Sequence, residues 1–148
     1  MKFSFLKPTL ISCGIGIFIP GFTAILFFLF QLLTDKLNIE CEIYWKSLWV
    51  LTTLTAVATP IIFIKNIEKT KNPTLTKLTI FNFVEYISLQ ASLAQFFTNV
   101  NTICYGSGGQ NGIELVFTAW LALPILICFS FLFKFKFGKF DTKSFKSI

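Results

Sequence analysis

The chain has no histidine, no arginine, one methionine and no C-x-x-C pair. Without histidine it lacks the commonest metal ligand and the usual general base, which excludes most familiar metal sites and Ser-His-Asp chemistry. With every one of its thirteen basic residues a lysine, it is a poor candidate for a nucleic-acid reader despite a net charge of +6. Such readers use arginine for bidentate and minor-groove contacts. Charge of either sign is scarce as well, at 14% of residues against 54% hydrophobic, whereas soluble domains carry roughly a quarter charged. The Lys-only, Phe/Ile/Asn-rich usage is also what an AT-rich genome encodes, so it is not itself a functional signal.

What is present in excess is phenylalanine, twenty in 148 residues. A soluble core of this size could not hide so many, while a helix surface facing lipid accepts them without cost. The expected fold class is therefore all-α, an integral membrane four-helix bundle forming a single domain over residues 1–148, with no repeat and no soluble module. Four apolar stretches, at about residues 9–33, 44–64, 78–100 and 113–133, are long enough to cross a hydrocarbon core of about 30 Å, which takes about 20 helical residues. The first apolar run is too long for a cleaved signal peptide and lacks a small-x-small site after it, so it is expected to remain as an anchor.

Lysines give the orientation. Lys2 and Lys7, Lys65, Lys69, Lys71 and Lys77, and Lys134, Lys136, Lys139, Lys143 and Lys146 make eleven on one side, against Lys36 and Lys46 on the other. The positive-inside rule then places the N- and C-termini and the middle loop in the cytoplasm, most naturally at a bacterial inner (plasma) membrane. Pro73 should break the middle loop. Pro20, Pro60 and Pro124 are expected to kink the first, second and fourth spans. Tyr44, Trp45 and Trp49 are expected to form an interfacial aromatic belt. The glycine-rich stretch 105–112 should be a flexible turn, and Phe135, Phe137, Phe140 and Phe145, interleaved with the tail lysines, suit either a stop-transfer flank or a tail lying on the anionic inner leaflet.

Two sets of residues stand out. In the third span Glu85, Ser88, Ser92, Gln95, Asn99 and Thr102 recur at spacings of three and four, which puts them within a sector of roughly 100° on one helix face. Polar groups facing lipid would be unsatisfied, so this stripe should face other helices, a bound partner or a wet cavity, and Leu89, Leu93, Phe97, Phe83 and Tyr86 should face the acyl chains. The stripe reads either as interhelical hydrogen bonding or as the lining of a pathway. Glu85 itself reads as a hydrogen-bond donor when protonated, as a proton or cation site, or as one end of a boundary salt bridge to Lys65 or Lys77. The second set is Cys41 and Cys104, expected in the two external loops and able to form a disulfide if that compartment is oxidising. Small residues four apart, such as Ser12 with Gly16 and Thr55 with Thr59, should let backbones approach closely.

No catalytic, cofactor-binding or metal-ligating motif is legible, so no cofactor is expected and the protein reads as a non-enzyme. The expected activity is intramembrane partner binding, as an accessory subunit of a larger membrane complex or a toxin-immunity-type protein. The expected partners are the lipid bilayer and another membrane protein or a second copy of the chain, with no nucleic acid. In size, lysine content and both-ends-inside topology the chain resembles the four-span colicin immunity proteins, a likeness of architecture alone. The first alternative is a small transporter or channel component using Glu85 and the polar stripe; small multidrug exporters, however, place their acid in the first span. The second is a membrane thiol oxidoreductase, disfavoured because such enzymes need a resolving thiol, usually in a C-x-x-C.

Overall fold

Among the residues described by the computed structural model, 4–106 and 112–137, helix is the only regular secondary structure. The glycine-rich stretch 107–111 and the tail from residue 138, with Phe140, Phe145 and their lysines, lie outside the described residues. Six helices follow in order: α1 (Leu6–Gly16), α2 (Pro20–Asp35), α3 (Cys41–Thr70), α4 (Leu75–Ala94), α5 (Val100–Tyr105) and α6 (Ile113–Phe137).

Two of them, α3 and α6, are long and apolar enough to cross a membrane. The first expected span is not one helix. α1 and α2 pass the same test only as a pair bent by 71°, a broken span or a re-entrant loop. The cause is local: Pro20 has no N–H to donate and sits at the first turn of α2, where that loss is harmless. The helical ladder therefore stops at Gly16 and restarts four residues later. By contrast α3 and α6 run through Pro60 and Pro124 as single helices.

The third expected span is also corrected. Its helix ends at Ala94 rather than near Val100, and its polar content keeps α4 out of the set apolar enough to cross alone. It begins where Pro73 predicts, with Thr74 as N-cap, its hydroxyl accepting the Lys77 N–H at 3.3 Å. α4 is the central element, packed on α1, α3 and α6, and more than half of its residues are buried.

Two clusters form the core. At one end Phe63, Phe81, Phe129 and Phe133 stack, with ring centroids 4.7–6.1 Å apart, and Phe5 closes on Phe133 and Phe137. An ion pair between Lys136 and Glu68 at 2.7 Å joins α6 to α3 at this end. At the other, Trp45 is fully buried among Phe28, Tyr44 and Trp49. The aromatic belt expected there is thus largely core: the Trp45 indole donates to Gln31 Oε1 at 3.0 Å, and Tyr44 Oη donates to the Phe27 carbonyl at 2.8 Å. α2 and α5 fold over these rings, so the indoles pack inward where a bare span would have left them at an interface.

Candidate functional site

α4 carries the polar core. Asn82, Glu85, Ser88, Gln90 and Ser92 are all buried, Glu85 and Gln90 completely. Three of the expected stripe residues, Glu85, Ser88 and Ser92, lie inside the bundle, and Asn82, one turn before Glu85, extends the same face. Gln95 and Asn99 do not belong to it. Once the helix stops at Ala94, Gln95 is its exposed C-cap, turning back to donate to the Ser92 carbonyl at 2.8 Å and to Thr53 Oγ1 at 3.1 Å. Asn99 is the exposed N-cap of α5, its Oδ1 accepting from the Thr102 N–H at 2.8 Å and hydroxyl at 3.0 Å. Two residues of the expected lipid face, Tyr86 and Leu89, are likewise core, because α4 is wrapped on several sides.

The break between α1 and α2 leaves carbonyls without helical donors, and α4 and α6 supply them. Tyr86 Oη donates to the Gly16 carbonyl at 3.5 Å and Trp120 Nε1 to that of Ile17 at 3.2 Å, while Gln90 Nε2 adds a bond of 3.3 Å to the Pro20 carbonyl, which also accepts from Thr23 Oγ1 at 3.1 Å. Gln90 Nε2 also reaches the Leu115 carbonyl at 3.2 Å, and the Gln90 backbone carbonyl accepts from Thr118 Oγ1 at 2.8 Å. Gly16 permits the approach of α6, since a Cβ there would stand 2.7 Å from Leu123 Cδ2. Nearer the phenylalanine cluster, Asn82 Nδ2 donates to Thr9 Oγ1 at 3.2 Å, and that hydroxyl donates to the Phe5 carbonyl at 3.0 Å.

Several buried acceptors remain unmatched. Both Glu85 oxygens, Asn82 Oδ1, Gln90 Oε1 and the Ser130 hydroxyl have no hydrogen-bond partner. The boundary salt bridge considered for Glu85 is not formed, for Lys77 Nζ is held by Thr70 Oγ1 at 2.9 Å and the Asn72 carbonyl at 3.1 Å, and Lys65 is exposed on α3. An unmatched buried polar group costs about 1–3 kcal/mol, so the interior around α4 carries a sizeable local penalty.

Cys41 and Cys104 are joined, with Cα atoms 6.0 Å apart, tying the start of α3 to α5. Cys13 and Cys128 are free. Among the described residues no three of His, Cys, Asp and Glu converge as a metal site. A groove of about 220 Å³ runs between α3 and α4, lined by Thr59, Ile62, Phe63, Ile80, Phe81 and Val84 and closed at one end by Asn66 and Lys77. Glu85 does not line it. Sequence reasoning missed Gln90 because it sits on a different face, about 140° round from Glu85 at 100° per residue. Asn82 was detectable, as it continues the three- and four-residue spacing backwards. No protein-family model, curated protein or solved structure matches this chain.

Proposed function

We propose that the chain crosses a bacterial inner membrane four times, with both ends and the α3–α4 turn in the cytoplasm, and works without catalysis by binding a transmembrane helix of another membrane protein. It would do so as an accessory subunit of a larger complex or as a toxin-immunity-type protein. The topology is supported by the lysine asymmetry together with contacts that gather Phe5, the end of α3 and the end of α6 at one pole, with the Cys41–Cys104 bond at the opposite one.

The observation that carries the partner reading is the α3–α4 groove and the face of α3 beside it. Only 22% of the most apolar stretch of α3 is buried inside the bundle. Thr59 and Ile62 line the groove, and Thr55 and Ala58 precede them on α3 at helical spacing. Thr55 and Thr59 each donate to the carbonyl four residues back at 2.7 Å. Their polar atoms are therefore satisfied, and the face offers small, apolar contour to an approaching helix. The carbonyls freed at the α1–α2 break, which in a transporter would hold a coupling ion or substrate, are engaged by the protein's own Tyr86 and Trp120.

Purification from native membranes in mild detergent tests the reading. A fixed heteromeric complex, lost in Ala58→Leu/Ile62→Trp while helical content is kept, is the expected result. A lone monodisperse protein overturns it. One observation favours a second reading, a small transporter or channel component: Glu85 is wholly buried with neither oxygen matched. On that reading Glu85→Gln abolishes ion or drug flux in proteoliposomes while assembly is intact.

A further inference from the structure

A cavity of about 540 Å³ lies away from the polar core, where the start of α1 meets the end of α6. Its wall is apolar, made by Phe5, Leu6, Leu10 and Ile11, and Leu10 and Ile11 are about half exposed. Two ammonium groups, those of Lys7 and Lys134, share this lining. Among the described residues neither has an acidic partner, whereas the nearby Lys136 is paired with Glu68. The other described acids cannot compensate them: Glu85 is sealed in the core, and Asp35, Glu40, Glu42 and Glu114 belong to the end that holds the disulfide. Ser4 Oγ accepts the Lys7 N–H at 3.3 Å, holding the first turn of α1 where Lys7 joins the rim.

Two uncompensated cations above an apolar wall match one kind of ligand, a molecule with an anionic head and a hydrocarbon tail. We propose that this pocket is a binding site for an anionic glycerophospholipid of the inner leaflet, its phosphate held between Lys7 and Lys134 and an acyl chain lying along Leu6, Leu10 and Ile11. The site rests on the membrane topology proposed above and is independent of any protein partner. Basic pockets between spans on the cytoplasmic side select anionic headgroups in this way. A free phosphate would be satisfied by the ammonium groups but would leave the wall unused.

The test is native mass spectrometry of the whole protein released from nanodiscs containing equal amounts of phosphatidylglycerol and phosphatidylcholine. The wild-type chain should retain phosphatidylglycerol preferentially. Lys7→Gln/Lys134→Gln should lower that preference by roughly 30-fold, at about 1 kcal/mol per lysine near the surface, and Lys36→Gln/Lys46→Gln at the opposite pole should leave it unchanged. Leu10→Asn/Ile11→Asn should also weaken retention, since it removes the acyl contact and keeps both charges. Equal retention of the two lipids, an unchanged preference in Lys7→Gln/Lys134→Gln, or full displacement by soluble glycerol phosphate would overturn the proposal. Failure of the topology itself would register separately, as labelling of a cysteine placed at residue 70 from the periplasmic side.

Discussion

At one pole of the bundle Trp45 packs against Phe28, Tyr44 and Trp49 beside a disulfide, while at the other Phe133 meets Phe5, Phe63, Phe81 and Phe129 with no covalent tie. The disulfide pole bonds Trp45 to Gln31 and Tyr44 to Phe27, and leaves the Trp49 indole N–H and the Thr98 hydroxyl unmatched. The phenylalanine pole adjoins Asn82 Oδ1, Glu85 and Ser130 Oγ, all without partners. The contrast teaches that the buried, unmatched carboxyl of Glu85 is carried at the pole without a covalent tie. That pole should be the more easily perturbed of the two.

The largest effect should come from Phe133→Ala. Removing a ring that is 1% exposed at the centre of four others should destabilise by about 3–5 kcal/mol, read by unfolding in mild detergent, with the Cys41–Cys104 bond intact by non-reducing mass mapping. A loss below about 1 kcal/mol would erase the contrast between the poles. Next, Cys41→Ser with Cys104→Ser opens a closed segment of sequence separation 63 and should lose about 2–4 kcal/mol, matched by mild reduction of the wild type. Glu85→Leu should go the other way. Replacing a sealed, unpartnered carboxyl by an apolar side chain is expected to gain about 1–2 kcal/mol, and a measured loss would mean the carboxyl is matched in the folded protein. The smallest change belongs to Glu68→Gln, which breaks an ion pair about half exposed on both sides. It should cost less than about 1 kcal/mol and vanish at high salt.

The parts of this architecture that were legible in the sequence are those in which hydropathy and periodicity agree. α3 and α6 fall where their apolar runs lie, Pro73 marks the start of α4, and the spacing of Glu85, Ser88 and Ser92 defines an inward face. Errors arose where apolar residues continue past a structural boundary. Phe96, Phe97 and Val100 keep the third stretch hydrophobic beyond Ala94, so the turn there leaves no trace in hydropathy, and Gln95 and Asn99 were counted into a helix they cap or follow. Likewise Ile17, Phe18 and Ile19 carry the first stretch straight across its break, and Pro20 predicts a kink where the chain makes a 71° bend. Tertiary enclosure, which no local pattern encodes, moved Tyr86 and Leu89 from expected lipid contact, and Trp45 from an expected interfacial belt, into the core.

The bend between α1 and α2 also sets an order of events during synthesis. Two of its carbonyl acceptors, at Gly16 and Ile17, wait for donors 70 and 103 positions further along the chain. When the first segment leaves the ribosome, neither of those donors has been made. The segment is therefore first made with these groups unmatched or with a straighter, self-bonded backbone, and it can settle into its bent form only after Trp120 has been added. α1 and α2, made before α4 and α6, thus take their final shape after them.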